Sequence, residues 1–192
     1  MNNPNELAIL RDFTDILEQL DIAYAIGGSM ASSIYGNIRF TQGTDVTVEP
    51  FESRAQQLFE MLRQEYYISK EGVFQALKNQ SCFNIIHLTS AYKIDVFIRK
   101  NNAFEKQLIK RRRQLKLSEQ EQKLFSVVSP EDIILLKLQW YQQGGCSSEL
   151  QWNDVLGVLT IQKDRLDFEY LSTWADKLSI RQLLESARRD AG

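Results

Sequence analysis

Residues 22–29 read Ile-Ala-Tyr-Ala-Ile-Gly-Gly-Ser, and residues 39–45 read Arg-Phe-Thr-Gln-Gly-Thr-Asp. The first stretch is a short apolar strand, Ile22 to Ile26, stopped by Gly27-Gly28. Ser29 is placed to cap a brief helix, Met30 to about Tyr35, which Gly36-Asn37 breaks. Paired glycines let a backbone come close to a bulky anion, and a helix N-terminus offers unpaired amides and the positive end of a dipole. The second stretch runs into another strand, Asp45 to Glu49, with period-two alternation and Pro50 as its stop.

Further along, Cys82 to Leu88 and Tyr92 to Ile98 form a hairpin pattern joined at Ser90-Ala91. In Lys93-Ile94-Asp95-Val96-Phe97, Ile94 and Val96 share one face, so Asp95 points to the other. A carboxylate inside an apolar strand costs free energy unless it has a partner or a task. The bland alternatives are an ion pair with Lys93 or Arg99 at an exposed edge for Asp95, and a turn-amide bond for Asp45. If the two strands are neighbours, Asp45 and Asp95 both face the cleft above Gly28-Ser29, which suits a magnesium nucleotide.

Around these segments the helical period recurs. Asn3-Pro4-Asn5-Glu6 starts a helix that carries Leu7, Leu10, Phe13, Ile16, Leu17 and Leu20 on one face. Ser53 to about Glu65 predicts a second, and Ala103 to Arg111 a third; 113–117 and 123–128 fit a further hairpin. From Ser129 the chain reads as all helix: Ser129-Pro130-Glu131-Asp132 is a start signal, and Ser148 with Gln151 is another. Two more helices follow, from Phe168 and from Ser179. The expected layout is an α+β core over 1–128 with a mixed sheet flanked by helices, and a C-terminal helical bundle over 129–192 packed on it.

The chain has 192 residues, 43% hydrophobic and 10% aromatic, enough to bury a sizeable core, and 25% charged residues, near the globular average. A net charge of −2 argues against a general nucleic-acid coat. Cys82 and Cys146 have no metal spacing, and His87 is the single histidine, which removes common zinc sites and His-based triads. No segment has the length of a membrane span, and the expectation is a cytoplasmic protein. The basic run Lys110 to Arg113 is either a solvated surface or a phosphate patch. Trp140, Trp152 and Trp174, with Tyr141 and Tyr170, are read as bundle core. Lys137 sits among leucines and either snorkels to solvent or points inward.

In order along the chain, Gly27-Gly28-Ser29, Arg39-Phe40-Thr41-Gln42-Gly43-Thr44-Asp45 and the lone Asp95 resemble the minimal nucleotidyltransferases of the DNA polymerase β superfamily. The likeness is to bacterial members related to abortive-infection and toxin–antitoxin enzymes. Ser129 to Leu138 resembles their helix with an inward lysine, and Gln151 to Val155 the following helix with an aspartate. The resemblance implies the nucleotidyltransferase fold and transfer of a nucleoside monophosphate from a nucleoside triphosphate with Mg2+. It assigns Gly27, Gly28, Ser29, Arg39, Thr41 and Lys137 to the nucleotide, and Asp45 and Asp95 to metal and catalysis. Transfer RNA or a partner protein is the implied acceptor.

The chain departs from that pattern at one position. The family reads Arg-x-Thr-x-Asp-x-Asp, and Gly43 stands where the first carboxylate belongs. Two carboxylates on alternate residues hold a pair of cations; Asp45 and Asp95 alone suffice for one magnesium carried in by the nucleotide. Two readings follow: a transferase impaired at Gly43, or an inactive nucleotide- or partner-binding member of a toxin–antitoxin-like system.

Overall fold

The computed structural model describes residues 4–39 and 43–192; the expected cap Asn3 and the candidate Thr41 lie outside the described residues. Seven strands form one mixed sheet: β1 (Tyr24–Ile26), β2 (Gly43–Val48), β3 (Tyr66–Ile68), β4 (Cys82–His87), β5 (Lys93–Ile98), β6 (Arg113–Leu115) and β7 (Phe125–Val127). Their order is β3-β4-β5-β2-β1-β7-β6. Two pairings are parallel, β2 with β5 and β1 with β7, and the others are antiparallel. Both expected hairpins, β4–β5 and β6–β7, are present.

The alternation read in the sequence sets the two faces of the sheet. Val46, Val48, Ile94, Val96 and Ile98 are buried on one side, with Phe83 and Ile85 of β4 beside them. Each such side chain contributes about 1.5–3 kcal/mol through removal from water. Asp45 and Asp95 lie on the opposite face, at partly exposed positions. Because β5 is flanked by β4 and β2, Asp95 does not stand at an exposed edge.

Four helices belong to the same unit, residues 4–27 and 43–127: α1 (Pro4–Gln19), α3 (Ala55–Leu62), α4 (Lys70–Asn79) and α5 (Ala103–Arg111). Leu10, Phe13 and Leu17 of α1 and Leu58 and Leu62 of α3 are fully buried, and the two helices pack together. The stretch 66–79 carries β3 and α4, which periodicity left without an element. β3 is three residues long, and α4 buries only Val73, Ala76 and Leu77. The signal that could have found α4 is Ser69, whose hydroxyl accepts from the Gly72 amide at 3.0 Å.

The second unit, Gly28–Arg39 with Val128–Gly192, is wholly helical: α2 (Gly28–Tyr35), α6 (Pro130–Gln143), α7 (Glu149–Gln162), α8 (Phe168–Lys177) and α9 (Arg181–Ala191). Its interior is aliphatic, built from Ile133, Ile134, Leu135, Leu138, Val155, Val158, Leu159, Leu171 and Leu184. The tryptophans are not core, contrary to the expectation from their spacing. Trp140, Trp152 and Trp174 are half-buried, and Trp152 stacks on Tyr141 with centroids 5.0 Å apart. Aliphatic residues on the inward faces of α6 and α7 already fill the centre, so the larger rings are left at the rim.

The start of α6 is held reciprocally. Ser129 Oγ accepts from the Asp132 amide at 3.1 Å and donates to the Asp132 carboxylate at 2.7 Å, and Tyr170 Oη donates to the same carboxylate at 2.6 Å. All three polar groups of this cap are thereby satisfied while Ser129 and Asp132 are buried. Ser129→Ala is expected to lower unfolding free energy by about 1–2 kcal/mol, measured by urea denaturation. An unchanged midpoint would rule out the hydroxyl as the cap.

Candidate functional site

On the sheet, β2 and β5 run parallel in a register that aligns Asp45 with Asp95 and Gly43 with Lys93. Alternation places Gly43, Asp45, Lys93 and Asp95 on one face. Asn84 of β4 is the neighbour of Asp95 on its other side, so Asn84, Asp95 and Asp45 form a row across three strands. The Gly27 amide donates to the Asp45 carbonyl at 2.8 Å, tying the turn after β1 to the same row.

Lys93 Nζ lies 2.8 Å from Asp95 Oδ2. The hydrogen bond to Asp95 holds the ammonium above its ordinary pKa, aided by the charges of Asp95 and Asp45. Burial, aided by the charges of the same two carboxylates, pushes the nearby Cys82 thiol up to about 11. Cys82 is therefore a thiol at neutral pH and not a nucleophile.

A side chain at position 43 has no room. A Cβ added to Gly43 would stand 2.8 Å from the Lys93 carbonyl oxygen, closer than van der Waals contact allows. In the pattern that the sequence resembles, carboxylates at alternate positions hold the cation pair, and the described residues bring no group of three or more His, Cys, Asp or Glu together. With Gly43 at one position and Lys93 on Asp95, the two-cation arrangement does not fit this face.

In the helical unit, Gly28 opens α2 at a φ of 54°, the left-handed region that glycine enters without steric cost. The helix begins one residue before Ser29, so Ser29 sits in the first turn and is not its cap. Its hydroxyl receives a hydrogen bond from the Arg39 guanidinium. Arg39 also grips Asp154 with two bonds, Nε to Oδ1 at 2.9 Å and Nη2 to Oδ2 at 3.1 Å. Lys137 Nζ donates to Asp154 Oδ2 at 2.7 Å.

Lys137 is 2% exposed and does not snorkel; its ammonium is held inside the unit by Asp154. Burial pushes the Asp154 carboxyl up, but bonds from Arg39 and Lys137 outweigh it and leave the group below the usual carboxylate range. The cluster thus joins Ser29, Arg39 and Lys137, all candidates from the sequence, through Asp154. Asp154 is the aspartate of the Gln151–Val155 stretch that the resemblance singled out, and the structure seats it against Lys137.

Compared by sequence, the chain matches no family model and no curated protein. Compared by structure, it is similar to the antibiotic-resistance factor ANT(2'')-Ia, with a TM-score of 0.59 and 9% identity over 96% of this chain and 94% of that one. It is similar also to an antigenic nucleotidyltransferase-like protein from Paracoccidioides brasiliensis, with a TM-score of 0.54 and 16% identity over 97% and 93%. A third is the lincomycin-bound lincosamide antibiotic adenylyltransferase LnuA, with a TM-score of 0.50 and 12% identity over 83% and 98%. The chain therefore has the nucleotidyltransferase fold. No helix among the described residues is long and apolar enough to cross a membrane.

Asp154→Leu should cost about 3–5 kcal/mol in unfolding free energy, because it leaves buried cations without their carboxylate. Adding Lys137→Met to that variant should recover part of the loss in a double-mutant cycle. Additive losses would show that the pair is not coupled. The pH dependence has a definite sign. A depressed folded pKa gives stability that is present above the unfolded value of about 4 and is lost as pH falls through the lower folded value. The acid limb of wild-type stability should therefore be steeper than that of Asp154→Leu/Lys137→Met.

Proposed function

We propose that this chain binds a nucleoside triphosphate and transfers its nucleoside monophosphate to an acceptor hydroxyl. The observation that carries this reading is the aligned pair Asp45 and Asp95 on one face of a sheet with the nucleotidyltransferase fold. The acceptor oxygen bonds to the α-phosphorus, the bridging bond to the β-phosphate breaks, and pyrophosphate leaves. Asp95 takes the acceptor proton, with Asp45 beside it. Gly28 and Ser29 offer backbone amides to the phosphates at the start of α2, and Gly27, whose own amide is held by the Asp45 carbonyl, fixes the turn before them. Arg39 and Lys137, already desolvated in part and oriented by Asp154, contribute positive charge.

Magnesium is proposed to arrive as the counter-ion of the triphosphate, with Asp45 and Asp95 as the carboxylates that would receive it. A cytoplasmic setting suits this substrate. The acceptor is taken to be an RNA such as transfer RNA, or a partner protein. One structural neighbour is an antibiotic-resistance factor and another a lincosamide antibiotic adenylyltransferase, which adds small-molecule hydroxyls to the assay.

One observation favours a second reading. Gly43 leaves no side chain where a further carboxylate would stand, and the Lys93 carbonyl fills the approach to it. That suits a nucleotide- or partner-binding protein, in the manner of one half of a toxin–antitoxin pair, that keeps the scaffold without the reaction.

The deciding experiment offers each labelled nucleoside triphosphate, with magnesium, to bulk RNA, cell protein and a lincosamide. Transferase action predicts label in one acceptor, and a loss of about a hundredfold or more in Asp95→Asn. Triphosphate binding without transfer to any acceptor would move the assignment to the binding protein. Lys137→Met should weaken triphosphate binding by about tenfold, about 1.4 kcal/mol, in a fluorescence titration; unaltered binding would show that the buried Lys137–Asp154 pair does not support the nucleotide site.

A further inference from the structure

The rung next to Asp45 and Asp95 pairs Gly43 with Lys93. At the place where a further anionic side chain would extend the cation site, the sheet has no side chain, and the residue aligned with it is a cation. The lysine ammonium is 2.8 Å from Asp95 Oδ2, so it already occupies one lobe of that carboxylate. Glycine and lysine are also sterically linked, since a Cβ at Gly43 would meet the Lys93 carbonyl at 2.8 Å.

We propose that Lys93 is a tethered, resident cation of this face, standing on Asp95 where a divalent ion would stand. The consequence is a carboxylate pair that does not take up a divalent cation by itself. Carboxylates at positions 43, 45 and 95 would place three negative charges together. The present set has two negative charges and one positive, and the ammonium on Asp95 repels a divalent ion that approaches this carboxylate. The lysine side chain is 46% exposed, so it can yield only by giving up a bond to Asp95 and not by breaking a packed core. The inference rests on the reading of this face as the nucleotide site, and it deepens that reading. A triphosphate bound here has part of its charge compensation supplied by the chain.

The test is a titration of the whole protein with Mn2+ alone, followed by the electron paramagnetic resonance signal of the free ion. Wild type should take up no Mn2+ at the sheet face. Lys93→Gln, which keeps a polar side chain of similar length, should gain a site at least about tenfold tighter than any in wild type. Lys93→Gln/Asp95→Asn should lose that site again. Circular dichroism and thermal melting establish that all three are folded. Equal Mn2+ uptake in wild type and Lys93→Gln, or none in either, would overturn the proposal.

A parallel titration with a fluorescent nucleoside triphosphate in EDTA separates the two levels. Wild type should bind it without a divalent ion, whereas Lys93→Gln should need magnesium for equal affinity. Triphosphate binding by wild type only when magnesium is present would overturn the resident-cation role and leave the nucleotide reading standing. No triphosphate binding by either protein, with or without magnesium, would sink the nucleotide reading, and the Mn2+ titration would still decide what Lys93 does.

Discussion

Parallel pairing of β2 with β5 is the constraint on which the sheet's chemistry depends. Six residues of each strand are in register, from Gly43 with Lys93 to Val48 with Ile98. Side chains alternate along a strand, so one register decides at once which residues are buried and which polar groups meet. A slip by one residue would carry Ile94 and Val96 to the solvated face and drive Asp95 into the apolar side. The aliphatic residues of the buried face therefore hold the carboxylates together from the opposite side of the sheet. Strength on one face is geometry on the other.

The helical unit solves a different problem. A lysine at 2% exposure would be untenable alone, and so would a nearly buried aspartate. Together, with Arg39 completing the carboxylate's bonds, they form a closed set in which the charges fix one another's positions. Such sets seldom add much net stability, since the cost of leaving water is of the same order as the attraction. What they supply is direction: Arg39 reaches Ser29 because Asp154 anchors its guanidinium in a fork that a single-point cation could not match.

The sequence was legible where a local rule decided the outcome. Gly-Gly ending a strand, Ser-Pro-Glu-Asp opening a helix, and alternation through Ile94, Asp95 and Val96 each fix a local shape with little help from elsewhere. The strand pair carrying Asp45 and Asp95 could be stated as a condition, and pairing at long range had to supply it. Elements that depend on tertiary packing were hidden. β3 is too short for a period to register, and α4 has few apolar residues because it covers the sheet with a single narrow stripe. Tryptophan size misled for a related reason: large rings suggest a core, but packing there favoured aliphatic side chains. The bond from Lys93 to Asp95 was readable as a possibility from their spacing of two, yet only the sheet order shows that it forms inside the sheet.

The tight approach of the Lys93 carbonyl to Gly43 also bears on how this chain can change over time. Any side chain introduced at 43 meets a steric penalty from that carbonyl before it can form a bond of its own. A change that relaxes the strand near Lys93 must come first, so the path to a side chain at 43 takes at least two steps. The contact works as a latch on the order in which substitutions can be accepted.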